Sequence, residues 1–556
     1  MTRIKKMPIA ANAFKYPLLI KRLLDYSTKL EPTRQIHYQD KFAMDYFELN
    51  RRVRKLANVL YSLGLDGGQT VAILDYDSHR YLEGFFTIPM TGNIIHTLNW
   101  RLSPEQILYT INHAEDVVII THADFVPLLN SFGDKIKTVK QIIVATDGAA
   151  MPENSLLPVA GEYEELLAAA PDQFEFDDFD EDAVATTFYT TGTTGNPKGV
   201  FFTHRQIVLH TFALATNFGY IDRSGRLSNS DVYMPLTPFF HVHAWGFPFL
   251  ATMTCMKQVY VGKFEPAIAL QLFIKHQPTF SHCVPTILQM LIGHPATAEM
   301  DLSSWKVIIG GSALPKALAK AAVERKIDIL TGYGMSETCP VLTISYISPT
   351  EKNIEDVDWQ VAARVRTGLP IPLADVRVID EYGKEVTHDD EAVGEVVART
   401  PWLTQGYYGE PEQSENLWHG GWLHTGDVAT MNGSNFLKIS DRLKDVIKTG
   451  GEWASSIDLE NIIGQHQAVQ EVAVVGLPDA QWGERPHAMI VLKKGFAATA
   501  EDIKFSMQQF VANGHINKWA IPDKVIFVEV LPKTSVGKID KKVIRAIVQE
   551  HLAENV

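Results

Sequence analysis

Cysteine is scarce in this chain: only three residues, Cys255, Cys283 and Cys339, occur among 556. They are odd in number and widely spaced, and no Cys-x-x-Cys pair occurs. This spacing excludes a zinc knuckle and a disulfide framework of the kind that stabilises small secreted domains. We therefore expect a protein of a reducing compartment, the cytoplasm.

Long hydrophobic runs are also missing. The longest apolar stretch, residues 244–256, contains Gly246, Pro248 and two threonines and is too short to span a bilayer. The basic N-terminal segment is interrupted by Lys15 and Pro17, which break the apolar core that a signal peptide needs. We expect no integral membrane segment and a buried position for residues 244–256.

An excess of positive charge is absent as well. Lys and Arg number 51 and Asp and Glu 65, so the net charge is −14, and nucleic acid is a poor candidate partner. Hydrophobic residues make up 46% and charged residues 21%, which excludes a mainly disordered chain. At ~150 residues per domain, the length suggests three to four structural units.

Short β-branched runs alternate with helical patterns along most of the chain. Apolar strands separated by helices are typical of parallel sheets covered on both faces. The clearest predictions are strands at TVAIL (70–74), VVII (117–120), QIIVA (141–145), KQVYV (257–261) and KVIIGG (306–311), and helices at 47–64 and 103–115.

The pattern changes twice towards the C-terminus. From about residue 373, hairpin-like strands with a turn at Tyr382 and Gly383 indicate a β-rich subdomain. After Asp441 the pattern becomes α+β. The predicted fold class is α/β: a large N-terminal domain of doubly covered sheets with a β-rich subdomain, then a small, mobile α+β C-terminal domain. The predicted boundaries are 1–440 for the N-terminal domain, 441–446 for a hinge and 447–556 for the C-terminal domain.

The most informative segment is YTTGTTGNPKG (189–199). Glycines permit tight turns, and hydroxyls with exposed N–H groups can surround a polyphosphate. It is not a Walker A loop, because Pro197 precedes Lys198 and Gly199 follows it. The apolar run that leads into it places the loop at a strand end, where open α/β sheets bind ligands. A polar surface turn is the alternative.

This segment resembles the phosphate loop of the adenylate-forming superfamily, which includes acyl-CoA synthetases and peptide-synthetase adenylation domains. Further motifs follow in the order of that family. PFFHVHAWG (238–246) and GGEWASS (450–456) are most similar to the medium- and long-chain fatty acyl-CoA synthetase branch. The ordered motifs are TGYGMSET (331–338), GWLHTGD (421–427), DRLKDVIKTGGEW (441–453) and PKTSVGK (532–538).

The resemblance implies a nucleotide site assembled from these motifs. In it Tyr333 stacks on adenine and Asp427 accepts both ribose hydroxyls, as an ionised carboxylate can. Ser336 stands where the family usually has Thr, and the hydroxyl needed for phosphate contact is kept. The residues implied for nucleotide binding are Thr190, Thr191, Gly192, Thr193, Thr194, Gly195, Lys198, Val242, Gly311, Thr331, Gly332, Tyr333, Ser336, Asp427, Arg442, Lys444, Lys448 and Trp453.

The implied chemistry is attack of a carboxylate on the α-phosphorus of ATP. Both partners are anionic, and two unit charges 4 Å apart interact by ~4 kcal/mol at an effective dielectric of ~20, so cations must offset the repulsion. The resemblance assigns catalysis to Lys538 and Glu337. It assigns magnesium to Glu337 with Thr190, since Mg²⁺ prefers oxygen ligands. Lys444 is implied as the hinge about which the C-terminal domain rotates between two reaction poses.

His241 and His243 form an H-x-H pair, which on a strand places both imidazoles on one face. Metal binding lacks a third ligand with suitable spacing. By resemblance this strand lines the acyl and nucleotide pockets, and Trp245 is the gate between them. Structural alternatives remain open for several residues: an Asx turn for Asp427, a solvated cation for Arg442, and core packing for Trp245 and Trp453.

The predicted function is an ATP-dependent fatty acid–CoA ligase. It would use ATP, Mg²⁺ and coenzyme A, and act on a medium- to long-chain acid by way of an acyl-adenylate. The alternatives are a ligase for a short-chain or methylthio-propionate-type acid, an enzyme that loads a carrier protein, and a non-catalytic nucleotide-binding module. The expected partners are small molecules, and the resemblance makes a homodimer possible.

Overall fold

The computed structural model describes residues 6–190, 196–351, 355–449, 452–479, 481–535 and 537–553. Its helices are, in chain order, α1 (Lys21–Leu30), α2 (Tyr46–Ser62), α3 (His79–Met90), α4 (Pro104–His113), α5 (Val126–Phe132), α6 (Tyr163–Ala169), α7 (His204–Gly219), α8 (Val242–Trp245, a single left-handed turn), α9 (Phe247–Met253), α10 (Pro266–His276), α11 (Pro285–Ile292), α12 (Lys316–Glu324), α13 (Val357–Arg364), α14 (Pro411–Leu417), α15 (Ser456–Ile463), α16 (Ala500–Ala512) and α17 (Lys541–Ala553).

The strands in the described part of the chain include the five predicted apolar runs, which form β3, β5, β6, β11 and β13. They are β1 (Gln35–Tyr38), β2 (Phe42–Asp45), β3 (Thr70–Leu74), β4 (Ile94–Thr97), β5 (Asp116–His122), β6 (Gln141–Ala145), β7 (Val159–Glu162), β8 (Val184–Thr190), β9 (Lys198–Thr203), β10 (Val232–Tyr233), β11 (Lys257–Tyr260), β12 (Phe280–Cys283), β13 (Lys306–Ile309), β14 (Asp328–Gly334), β15 (Val341–Ile344), β16 (Leu369–Pro370), β17 (Asp375–Ile379), β18 (Gly394–Arg399), β19 (Trp418–His419), β20 (Trp422–Met431), β21 (Leu437–Arg442), β22 (Ile447–Thr449), β23 (Glu452–Ala454), β24 (Val469–Asp479), β25 (Gly483–Leu492) and β26 (Lys524–Phe527).

Two large sheets form the N-terminal part. One has the order β7-β6-β5-β3-β4-β8-β9 and is parallel except for its last pair. The other has the order β16-β15-β14-β13-β12-β10-β11-β1-β2 and is parallel between β14 and β1. All five residues of β3 are buried, as expected of a strand covered on both faces. The predicted fold class is confirmed.

Helix α3 lies between these two sheets. It packs against β3, β4 and β8 of one sheet and against β1 of the other. All twelve of its residues are buried, which is typical of a helix enclosed on every side. The apolar stretch 244–256 is likewise buried, with α9 at its centre. None of the described helices is both long and apolar enough to cross a membrane.

The remaining strands form two smaller sheets. The order β17-β18-β20-β19, with β21 on β20, is antiparallel and contains the predicted turn, where the N–H of Gly383 donates to the carbonyl of Asp380. The C-terminal sheet has the order β23-β22-β25-β24, with β26 on β25, and α15, α16 and α17 pack on it. The β21 strand ends at Arg442, and the C-terminal sheet begins at Ile447.

Candidate active site

The predicted phosphate loop connects two antiparallel strands of the first large sheet. Strand β8 ends at Thr190, which lies opposite Lys198 at the start of β9. The loop therefore leaves the end of a strand, as predicted. Lys198 places its Nζ 4.6 Å from the ring centroid of Tyr407. The predicted contacts at Thr191, Gly192, Thr193, Thr194 and Gly195 lie outside the described residues.

Glu337 is a buried carboxylate that Tyr407 connects to Lys198, at the start of β9. It lies in the short 3₁₀ turn Ser336–Thr338 that follows β14, and only 7% of it is exposed. Its Oε1 accepts a hydrogen bond of 2.7 Å from the hydroxyl of Tyr407, and its carbonyl accepts from the N–H of Thr404. Tyr407 thus links Lys198 and Glu337. No motif in the sequence pointed to this tyrosine.

Asp427 is held where three strands meet. It lies on β20 opposite Arg442 of β21, whose Nε is 3.1 Å from its Oδ1. The Tyr333 hydroxyl, from β14, donates to its Oδ2 at 2.8 Å. Burial raises the pKa of Asp427, and the neighbouring Arg442 guanidinium opposes that shift. The Asx turn was the alternative, but these contacts instead arrange the carboxylate within a polar cluster.

Lys538 reaches this cluster from the C-terminal domain. Gly537, with φ +82°, precedes it in a loop closed by hydrogen bonds with Thr534. The Cε of Lys538 lies 3.1 Å from the point that a Cβ on Gly311 would occupy, so any larger residue at Gly311 would meet it. Burial, aided by Arg442, lowers the pKa of Lys538 to about 8, while Asp427 and Glu337 oppose the shift.

Two N-terminal side chains hold the lysine loop. The amide of Asn99 donates to Ser535 Oγ at 3.0 Å, and Arg101 donates to the carbonyl of Ser535 at 3.4 Å. The Arg101 guanidinium also lies over the rings of Trp100 and Phe240. Sequence reasoning missed both residues, because their role depends on a loop more than 400 positions away.

A cleft that is partly open to solvent lies beside this loop. The lining includes Tyr76, Asp77, Arg101, His241 and Gly537, which combine the two N-terminal sheets with the C-terminal domain. The N–H of Phe239 donates to Asp77 Oδ1 at 2.8 Å. Burial, reinforced by the charges of Lys538 and Arg101, lowers the pKa of His241 to about 3 and keeps its imidazole neutral.

The H-x-H pair does not lie on a strand, and that prediction was wrong. Val242 to Trp245 form a left-handed turn, with φ values of 48°, 52°, 46° and 61°. His241 therefore faces the cleft, whereas His243 is fully buried and its Nε2 pairs with the hydroxyl of Thr186. The alternating pattern of a strand was misleading, because tertiary packing imposes this backbone.

The other predicted nucleotide contacts occupy varied surroundings. Thr331 is buried: its hydroxyl donates to the carbonyl of Arg364, its N–H donates to Ser345 Oγ, and its carbonyl accepts from the N–H of Ser345. Ile344 packs against Gly332. Lys444 lies between β21 and β22, and Lys448 lies on β22, where its N–H donates to Glu484. The side chain of Trp453 lies outside the described residues.

The depressed pKa of Lys538 leads to a testable pH dependence. Its ammonium is charged well below about pH 8 and loses its proton as the pH rises through that value. The motif resemblance implies an adenylate-forming step in which Lys538 acts, and since kcat/KM reports the free enzyme, its kcat/KM for ATP should fall above about pH 8. Lys538→Arg should remove this fall, since guanidinium stays protonated. The measurement is pyrophosphate exchange against pH; the same fall in the arginine variant would refute the assignment to Lys538.

The fold is shared with a solved CoA ligase. A solved anthranilate CoA ligase in complex with anthranoyl-AMP matches this chain with a TM-score of 0.84 at 24% identity, over 96% of this chain and 98% of that one. At this identity the likeness concerns the fold alone. It shows that this chain has the fold of that CoA ligase.

Sequence comparison then identifies the family. Residues 25–408 match the family described as AMP-binding enzyme, and residues 458–538 match the AMP-binding enzyme C-terminal domain. The chain belongs to this family. A long-chain-fatty-acid–CoA ligase from Thermus thermophilus is 37% identical over 93% of this chain and 92% of its own length. A 3-methylmercaptopropionyl-CoA ligase from Ruegeria lacuscaerulensis is 34% identical over 95% of this chain and 97% of its own length.

Proposed function

We propose that this chain is an AMP-forming fatty acid–CoA ligase. A carboxylic acid and ATP give an acyl-adenylate and pyrophosphate, and the thiol of coenzyme A then displaces AMP to give the thioester. The observation that carries the proposal is the position of Lys538. Its loop brings a lysine of the C-terminal domain beside Gly311, close to a cluster containing Asp427, Arg442 and Glu337.

The charged cluster can offset the repulsion between the two anionic reactants of the first step. The attacking carboxylate and the α-phosphate are both anionic, and the Lys538 ammonium can stabilise the negative charge that shifts between them in the transition state. Arg442 and Asp427 form an ion pair beside Tyr333, so nucleotide can be held through its ribose and base. We assign catalysis to Lys538 and Glu337 and nucleotide binding to the surrounding motif residues.

We further propose that Glu337 holds Mg²⁺ together with Thr190. Magnesium in such sites usually takes one or two carboxylates and completes its coordination with phosphates and water. Glu337 fits this because it is a buried carboxylate near the loop between Thr190 and Lys198. The ion would neutralise phosphate charge, and Tyr407 would orient the carboxylate through its hydrogen bond.

The second step requires a different domain arrangement in this proposal. Residues 1–440 form the N-terminal domain, 441–446 the hinge with Lys444, and 447–556 a domain that rotates after the adenylate forms. The contacts of Ser535 with Asn99 and Arg101 belong to the adenylation pose and must break before coenzyme A reacts.

The substrate class follows from similarity to the named relatives. A medium- to long-chain fatty acid is the favoured substrate, and a methylthio-propionate-type acid is the second candidate because of the Ruegeria relative. The test is AMP release across acids of increasing chain length, with and without coenzyme A. Activity with long acids supports the first candidate, and activity only with short or sulfur-containing acids supports the second.

The same assay separates the other classes. A carrier-loading enzyme would support pyrophosphate exchange without forming acyl-CoA, and a non-catalytic module would release no AMP with any acid. Homodimer formation and a cytoplasmic location stay predictions. Light scattering of the purified chain tests the first, and cell fractionation tests the second.

Trp245 is proposed to act as the gate between nucleotide site and acyl pocket. It is 5% exposed, and its ring comes within 3.0 Å of the point where a Cβ on Gly310 would lie. Trp245→Ala should alter the acyl-chain profile and weaken the requirement that ATP bind first. If the residue only packs, the variant should instead lose ~3–5 kcal/mol of stability.

Melting temperature and chain profile measured on the same variant separate the two roles. Trp305→Ala is the matched control, because Trp305 is equally buried and its Nε1–H donates to Ser281 in the core. A large drop in melting temperature with an unchanged chain profile in both variants would establish the packing role for Trp245.

A further inference from the structure

The left-handed turn of Val242 to Trp245 is costly for this sequence. Four consecutive residues other than glycine adopt positive φ, followed by Gly246 at 77°. A left-handed helical conformation is unfavourable for L-residues, because it brings Cβ too close to the following carbonyl oxygen. Such a segment persists only where the surrounding structure over-determines it, and strained backbone of this kind clusters at functional sites. The contacts of the turn therefore show which groups hold it in this conformation.

His243 is the polar contact that anchors the turn. It is fully buried, its Nε2 pairs with Thr186 Oγ1, and the rings of Phe85, Phe188 and Phe249 surround it with centroids 5.4–6.1 Å away. Burial lowers the pKa of His243 to about 3, so the imidazole that pairs with the Thr186 hydroxyl is neutral.

This bond joins two segments with different roles in the site. Thr186 lies on β8, four residues before the strand ends at Thr190 and the phosphate loop begins. On the other side, the turn carries Trp245, whose ring lies against Gly310 and is 5.1 Å from the ring centroid of His282. One hydrogen bond therefore connects the phosphate-loop strand to the segment that carries the tryptophan.

The two sides of the bond differ in rigidity. Strand β8 is paired on both edges, with β4 and with β9, so the loss of one side-chain bond leaves its backbone in place. The turn, in contrast, has a strained backbone, so its free energy falls when it relaxes. Breaking the bond should therefore move the turn and its tryptophan rather than the strand.

We propose that His243 and Thr186 are positioning residues for the acyl substrate. Their hydrogen bond holds the left-handed turn against the phosphate-loop strand. This fixes the position of Trp245 at the boundary between the nucleotide site and the apolar interior. Neither side chain needs to touch a reacting atom. The inference rests on the proposed ligase function, because its readout is the recognition of the acid.

The test uses matched substitutions on one strand. Thr186→Val removes the hydroxyl and keeps the volume, whereas Thr186→Ser keeps the hydroxyl. Thr187→Val is the control, since the hydroxyl of Thr187 donates to the carbonyl of Val200 instead. Thr186→Val should raise the KM of the fatty acid about tenfold, the usual effect of losing one buried hydrogen bond, and change the preferred chain length. Thr186→Ser and Thr187→Val should retain the wild-type KM and profile.

A second variant tests whether the effect passes through His243. His243→Phe suits the aromatic surroundings but cannot bond to Thr186, so combining it with Thr186→Val should raise the KM no further than either change alone. Additive effects would overturn the link. An unchanged KM and chain profile in Thr186→Val, or an equal change in Thr187→Val, would overturn the proposal. The Thr186 and Thr187 variants decide this even if His243→Phe does not fold. Absence of AMP release by the wild type would instead refute the ligase function itself.

Discussion

Replacing Lys538 by alanine is expected to reduce the rate of acyl-adenylate formation by roughly 10²- to 10³-fold, the usual effect of losing one preorganised transition-state donor. The side chain approaches Gly311 from a loop that Asn99 and Arg101 hold against the N-terminal domain. The next lysine along the chain, Lys541, is paired with Glu460 and so is not placed to replace its ammonium.

The two half-reactions should respond differently to this variant. Pyrophosphate exchange measures adenylation, and conversion of pre-made acyl-adenylate with coenzyme A measures the second step. Only the first should fall in Lys538→Ala. Lys533→Ala is the matched control, because Lys533 lies on the same loop but pairs with Glu471. Equal loss in both half-reactions, or the same loss in the control, would contradict the catalytic assignment.

Replacing Glu337 by glutamine is expected to raise the magnesium concentration needed for half-maximal activity by roughly 10- to 100-fold, the range covered by losing one interaction with a charged group. Glutamine keeps the size of the side chain and one carbonyl oxygen, which can still accept from Tyr407, but it removes the charge that Mg²⁺ favours. The fold should therefore be preserved while metal affinity falls.

Magnesium titrations of AMP release at saturating ATP and acid measure this effect. Glu324→Gln, an exposed residue of α12, is the control for a lost carboxylate and should leave the magnesium profile unchanged. Excess Mg²⁺ should restore much of the activity of the Glu337 variant. A wild-type magnesium requirement in Glu337→Gln would show that another group holds the ion.

Much of the fold could be predicted from local pattern. A run such as TVAIL becomes a fully buried strand, because an apolar segment without alternation is stable only when both faces are covered. The phosphate loop was placed correctly at a strand end for the same reason, since an apolar run precedes it and ends at Thr190. The helix predicted at 103–115 forms as α4, with Ser103 and Gln106 capping its start.

The prediction failed where tertiary packing overrides local preference. HVHAW reads as an alternating strand, but the fold bends it into a left-handed turn that no local propensity of Val, His, Ala or Trp favours. Tyr407 was missed because its partner, Glu337, is 70 positions away and no spacing rule connects them.

Local patterns were enough to predict the fold class and the order of the site motifs, because burial of apolar runs and turn chemistry act over short stretches of chain. Which of those motif residues meet depends on how distant segments pack. Asp427 meets Tyr333 and Arg442 because β20, β14 and β21 converge, and Lys538 lies beside Gly311 in a loop that Ser535 joins to Asn99 and Arg101. Hydrogen bonds and charge interactions act only over a few ångströms, so they depend on the packed arrangement of distant segments, which a local pattern does not encode.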